Sequence, residues 1–235
     1  STRDSLSLVS EDVGGMTWLN KNRLGIYPSG VHVIDTRTGE TRNIFIPCHN
    51  QQYQYKYNAI LRVLGDDKGN IYILSRSGFY QYDKNYKLVF RFDYYSEEKV
   101  LTTHFFFGEH MVELDSNRLL ILARENLYIY DKQKRQFKKM TATDCPLMAE
   151  ALKYPSTAYI FLQRKPGELF ILNPKNDSII YVNILQNKKV VSHAPINPIS
   201  KEFRWRSKLI PISDTVLYIT SHFSGFYKIR FYPET

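Results

Sequence analysis

Short apolar runs recur along the chain from Trp18 to Ile229, each bounded by residues rich in Asp, Asn, Gly or Ser. The runs are too short for helices and end in turn formers, so they predict strands joined by tight hairpins. Five of them share one pattern: Gly30-Val31-His32-Val33-Ile34-Asp35, Gly78-Phe79-Tyr80-Gln81-Tyr82-Asp83, Asn126-Leu127-Tyr128-Ile129-Tyr130-Asp131, Glu168-Leu169-Phe170-Ile171-Leu172-Asn173 and Gly225-Phe226-Tyr227-Lys228-Ile229-Arg230. They begin at residues 30, 78, 126, 168 and 225, at intervals of 48, 48, 42 and 57. That period suits one four-stranded propeller blade and is too long for a leucine-rich or short helical repeat. The expected architecture is all-β: a β-propeller with five four-stranded blade repeats, near 11–46, 58–92, 107–140, 156–185 and 205–235, in one domain spanning 1–235.

The second copy parses strand by strand. Asn58 to Leu64 reads as the innermost strand, Asp66-Asp67-Lys68-Gly69-Asn70 as its turn and Ile71 to Leu74 as the second strand. Ser75 to Gly78 turns into a third strand, Phe79 to Tyr82, and Asp83-Lys84-Asn85-Tyr86 into a fourth, Lys87 to Phe92. The alternation Tyr80-Gln81-Tyr82 predicts one less buried face on the third strand. From turn Asp to third strand the distance is 11 residues in three copies: Asp67 to Gly78, Asp115 to Asn126 and Asp214 to Gly225. The first copy is one residue shorter, and the fourth is degenerate in its first strand. The fifth copy stops short of a fourth strand, and Leu6-Ser7-Leu8-Val9 could supply one. Either that strand closes a five-bladed ring, or the chain is an arc of a larger propeller.

Composition supports an ordered, strand-rich body: 43% of residues are hydrophobic, with 18 Tyr and 14 Phe. There is no apolar run long enough to span a bilayer and no charged-then-apolar leader at Ser1, so no direct membrane insertion by this segment is expected. Cys48 and Cys145 fall in non-adjacent repeats without metal-ligand spacing, and are expected to be free thiols. The net charge of +9 suggests an acidic partner. Its densest run, Lys132, Lys134, Arg135, Lys138 and Lys139, follows a strand and is expected to be a solvated outer edge that discourages aggregation. The other cations are spread out, and no nucleic-acid partner is expected.

The longest inserts, 47–57, 93–108 and 186–205, precede innermost strands, where propeller loops reach the central channel and where binding residues concentrate. Alignment on the turn Asp makes Tyr57, Phe105 and Arg204 equivalent, followed by Asn58, Phe106 and Trp205. The segment Glu202 to Lys208 combines Arg204, Arg206 and Lys208 with Trp205, offering forked pairing to carboxylate or phosphate and a flat face for a sugar ring or cation. The loop Gln51 to Tyr57 alternates amides and phenols. The expected ligand-binding residues are therefore Tyr55, Tyr57, Phe106, Arg204, Trp205, Arg206 and Lys208.

No catalytic residue, metal ligand or cofactor is expected. No GxSxG, P-loop or dinucleotide GxGxxG motif occurs, and the six His lie at no metal-binding spacing. His32, between Val31 and Val33, is expected to be a structural imidazole. The Asp66–Asn70 segment lacks the alternating oxygens and distal Glu of a calcium loop. Glu109, Glu113 and Glu202 are the nearest acids that a polysaccharide-cleaving enzyme could use.

The run Asp67-Lys68-Gly69-Asn70-Ile71-Tyr72-Ile73-Leu74-Ser75-Arg76-Ser77-Gly78-Phe79-Tyr80-Gln81-Tyr82-Asp83 resembles the two-component regulator propeller repeat, D-x-x-G-x-I/L-W-I-x-T-x-x-G-L-x-x-Y-D. The third and fifth copies match it less fully, the first and fourth weakly, and Tyr72, Leu120 and Tyr218 stand where the family usually has Trp. The resemblance implies a periplasmic or extracellular sensory region of a bacterial membrane histidine kinase, without catalysis of its own, relaying ligand or partner contact to adjacent modules of the same polypeptide; Arg204, Trp205 and Arg206 favour an acidic or sugar-containing ligand. The alternatives are a secreted propeller glycoside hydrolase or lyase and a protein-interaction propeller.

Overall fold

The computed structural model describes residues 15–27, 30–46, 60–75, 78–93, 110–123, 126–141, 143, 146–148, 160–173, 178–193, 208–213, 216–221 and 225–230. Among the described residues the regular elements are strands, apart from one 3-10 turn at Pro146–Met148. Sequential antiparallel meanders make up five sheets. The first contains β1 (Gly15–Asn20), β2 (Arg23–Tyr27), β3 (Val31–Asp35) and β4 (Thr41–Ile44); the second β5 (Ile60–Gly65), β6 (Ile71–Ser75), β7 (Gly78–Tyr82) and β8 (Leu88–Asp93). The third contains β9 (His110–Glu113), β10 (Arg118–Ala123), β11 (Asn126–Asp131) and β12 (Gln136–Lys139). The fourth contains β13 (Ile160–Lys165), β14 (Glu168–Asn173), β15 (Ser178–Asn183) and β16 (Lys188–His193), and the fifth β17 (Lys208–Ser213), β18 (Val216–Ser221) and β19 (Gly225–Arg230). Among the described residues no helix is long and apolar enough to cross a membrane.

The sheets fall into two compact units, Ser1–Met111 and Val112–Thr235. In the first unit, cross-strand register puts Thr17, Gly25 and Val33 on one face of the first sheet, with Tyr27 on the same face. That face supplies Leu19, Tyr27, Val31 and Val33 to a core shared with Val63, Ile71, Ile73, Tyr80 and Tyr82 of the second sheet. The sheets meet closely at Gly65, where even a Cβ would strike the Leu19 main chain. In the second unit, Val112, Leu120 and Leu127 pack with Leu169, Ile171, Ile180 and Val182. Tilted ring pairs, Tyr130 with Phe137 at 4.9 Å and Phe170 with Tyr181 at 5.2 Å, link neighbouring strands.

The recurrent Asp or Asn has a local cause. Asp35, Asp83, Asp131 and Asn183 each open the turn between a third and a fourth strand, with Oδ1 accepting main-chain N–H groups ahead. Each turn then contains a residue at positive φ: Gly39 (74°), Tyr86 (63°), Arg135 (55°) and Asn187 (51°). One amino acid of four there is Gly, so three side chains accept the left-handed region because the turn hydrogen bonds hold them in it.

Four expectations change. In the fourth sheet the third strand is Ser178–Asn183, and Glu168–Asn173 is the second. Both are apolar runs ending in Asn, so pattern alone mistook one hairpin arm for the other. The turn positions 35, 83, 131 and 183 then recur at 48, 48 and 52, and the fourth repeat runs to His193. Gln81 is buried along with the rest of β7, because this interior strand is covered on both faces. Within the basic run, Lys134, Arg135, Lys138 and Lys139 are exposed, but Lys132 is buried against Glu113.

Candidate functional site: a basic groove at the turn end of two sheets

In an up-and-down four-stranded sheet, the first and third hairpin turns share one end. The second hairpin and the connections to neighbouring sheets share the other. The sequence-predicted residues Tyr55, Tyr57, Phe106, Arg204, Trp205 and Arg206 lie outside the described residues, as do Glu109, Glu202, Cys48 and Cys145. Lys208 is the first residue of β17, and its side chain is outside the described set. Glu113 is described and is held in an ion pair with Lys132.

At the opposite, turn-bearing end of the first unit is an open groove of about 260 Å³. The first sheet contributes Asn20, Asn22 and Arg23 around the β1–β2 turn, with Asp35 and Arg37 at the β3–β4 turn. The second contributes Asp67, Lys68 and Gly69 from the β5–β6 turn and Lys84 from the β7–β8 turn. Hydrogen bonds order each wall. The Asn22 N–H donates to Asn20 Oδ1 at 2.9 Å, and the Thr36 N–H donates to the Asn22 carbonyl at 2.9 Å, joining the two turns of the first sheet. Across the groove, the buried Asp66 carboxylate accepts from the Asn70 N–H and side-chain amide at 2.9 Å and from the Tyr72 hydroxyl at 2.7 Å. Asp66 is thus consumed in building its turn, in agreement with its turn role in the sequence.

Gly69, at φ 84°, lets the second wall approach the first: its missing Cβ would sit 3.1 Å from Lys84 Cβ and 3.8 Å from an Arg23 guanidinium nitrogen. Arg23 is half-buried with its guanidinium 5.4 Å from the centre of the Tyr86 ring. Four cations thus face two carboxylates. Asp35 is committed to its own turn, where the Arg37 N–H chiefly, with help from the Thr38 N–H and the Arg37 charge, holds its pKa below the ordinary value against the opposing effect of burial. Among the described residues no carboxylate pairs with Arg23, Lys68 or Lys84.

The corresponding end of the second unit handles charge differently. Lys132 donates to Glu113 Oε1 at 2.5 Å, and Arg118 meets Asp115 at 2.6 Å. Burial tends to raise the Asp115 pKa, but the Arg118 hydrogen bond and charge and the turn N–H groups outweigh it, so the net shift is downward. Glu113 is also fixed through its backbone, its N–H donating to Gln163 and its carbonyl accepting from Gly167. Lys132 and Arg118 are paired with carboxylates there, whereas in the first unit Arg23, Lys68 and Lys84 converge on a solvent-open groove. His32 is a buried structural residue, with Nδ1 2.7 Å from Asn43 Oδ1. Among the described residues no cluster of His, Cys, Asp and Glu could hold a metal.

Comparison with solved structures finds a similar fold in several all-β domains. The chain superposes on the extracellular domain of BT4673 from B. thetaiotaomicron, described as a hybrid two component system, with a TM-score of 0.59 and 11% identity over 98% of this chain. The corresponding domain of BT3049 gives 0.56 and 10%, again over 98% of this chain. YCF48 bound to D1 peptide gives 0.51 and 7%, over 92% of this chain and 63% of its own. The chain spans 30% of the BT4673 domain and 29% of the BT3049 domain. No family model and no curated protein matches it.

Proposed function

We propose that this chain is a noncatalytic sensory segment of an extracytoplasmic β-propeller, five of whose blades are the five sheets, in a membrane histidine kinase of the two-component class. The observation that carries this reading is the likeness, over nearly the whole chain, to extracellular domains of two hybrid two-component systems. Ligand contact would shift a two-state packing equilibrium, relayed to membrane and kinase modules elsewhere in the same polypeptide.

An arc of a larger propeller is the reading favoured by the chain's 30% share of the BT4673 domain.

The complete open reading frame is the test. A membrane-spanning segment and a histidine-kinase module in the same frame are expected. A leader peptide directly upstream and a stop soon after Thr235 would overturn the kinase assignment. Release of reducing ends from polysaccharides by the purified chain would overturn its noncatalytic character.

A further inference from the structure

We propose that the groove at the turn end of the first two sheets is an oxyanion-binding site centred on Arg23, which takes a phosphate, sulfate or carboxylate group on a small polar ligand. The inference rests on the first unit alone and is independent of the sensory reading.

Three features converge. The first is the state of Arg23. A guanidinium presents a planar fork of donors suited to two oxygens of one anion. Here it is half-buried against the Tyr86 ring, which orients it, and no carboxylate among the described residues occupies that fork. The second is the surrounding charge. Lys68 and Lys84 come from two turns of the opposite sheet, and both are exposed, so they can move onto an anion held by Arg23. Their mutual repulsion with Arg23 is relieved when an anion enters. The third is construction. Tyr86 is held at φ 63° at the point where its ring lies beneath Arg23, and Gly69 at φ 84° leaves Lys84 and Arg23 the space beside the turn. At the equivalent end of the second unit, Lys132 and Arg118 are instead paired with Glu113 and Asp115.

The groove's size limits the ligand. At about 260 Å³ and open to solvent, it suits one oxyanion and a small carrier rather than a large apolar molecule. Asp67 and the Asn22 side chain add an acceptor and an amide for polar groups on that carrier. A shallow site of this type relies on charge-assisted hydrogen bonds, so affinity for an isolated ion should be roughly millimolar.

Calorimetric or NMR titration of the chain with inorganic phosphate, sulfate, glucuronate and neutral glucose, at constant ionic strength in chloride, tests the proposal. Saturable binding of at least one anion, with glucose bound no better than background, is expected. Preference for the tetrahedral ions would indicate a phosphate or sulfate ester, and preference for glucuronate a carboxylate. Arg23→Gln should weaken binding by about tenfold or more, and Lys84→Gln, an exposed change that leaves the core intact, by a smaller factor. Arg118→Gln, at the other unit's turn end, should leave it unchanged. Weakening that is equal for Arg23→Gln and Arg118→Gln, non-saturable uptake that tracks only ionic strength, or wild-type affinity in both Arg23→Gln and Lys84→Gln would each overturn the assignment.

Discussion

Replacing Gly65 with Ala adds one methyl group where two main chains nearly touch. The new Cβ would lie 2.1 Å from the Leu19 carbonyl oxygen and 2.6 Å from both the carbonyl carbon and Cα of that residue. These are backbone atoms in β1, so no rotamer change can relieve the clash. Ordinary contact begins near 3.4 Å, so β1 and β5 must part by roughly 1 Å, a gap that forfeits a quarter to a half of the dispersion energy of the atoms facing across it. Leu19 and Val63, 4% and 0% exposed, lie in that interface. After relaxation the loss should be about 3 kcal/mol, the upper range for overpacking a core. Gly39→Ala is the control, because nothing lies within 4 Å of its Cβ and only the strain of φ 74° remains, costing about 1 kcal/mol. Urea unfolding followed by circular dichroism would read the difference: with an m-value of about 2 kcal/mol/M, the midpoints should fall by roughly 1.5 M and 0.5 M. A Gly65→Ala midpoint no lower than that of Gly39→Ala would refute the close packing of these two sheets.

Other consequences are equally direct. Burial pushes the Tyr82 pKa up from 10.0 to about 12; below pH 10 both folded and unfolded forms are protonated, and between pH 10 and 12 only the unfolded chain ionises. Up to about 2–3 kcal/mol of stability should therefore be lost across that window; urea midpoints measured from pH 9 to 12 should show a smaller loss in Tyr82→Phe, and identical profiles would refute the assignment. Glu113→Ala removes the carboxylate paired with the buried Lys132 ammonium and should cost about 3 kcal/mol in denaturant unfolding, whereas Glu113→Gln combined with Lys132→Met should recover most of it; a neutral single substitution would refute the buried pair. Asp131→Ala removes the acceptor for the Gln133 and Lys134 N–H groups and should destabilise the chain by about 1 kcal/mol, with faster hydrogen exchange in the β11–β12 turn as the local readout.

The second sheet was legible nearly residue by residue, since Asp66, Gly69 and Asp83 are chemical markers of turns and the runs between them are strand-length. The fourth sheet was not. Leu169 to Leu172 and Ile179 to Val182 are both apolar arms before Asn, and only pairing separates them: Glu168–Asn173 lies between β13 and β15, with Ser178–Asn183 next outward. The expected site residues were chosen because long inserts concentrate near innermost strands, and they fall outside the described set. The groove that is described uses short turns, whose Asn22, Lys68 and Lys84 look like ordinary surface residues in the linear order. The one available hint was that the β5–β6 and β7–β8 turns each carry a Lys close to the turn Asp.

Local chemistry along the chain determined strand length, turn position and the all-β class, because turn hydrogen bonds and period-2 burial act over a few residues and leave their mark in composition. Which charges are cancelled and which converge was decided by tertiary structure. Lys132 and Arg23 are both cations near hairpin turns, yet one is buried against a carboxylate 19 residues away and the other stacks on Tyr86 in a solvent-open groove. That difference depends on which sheet packs beside which and at what separation, a spacing set at Gly65 and at Gly69 by the absence of a single carbon atom.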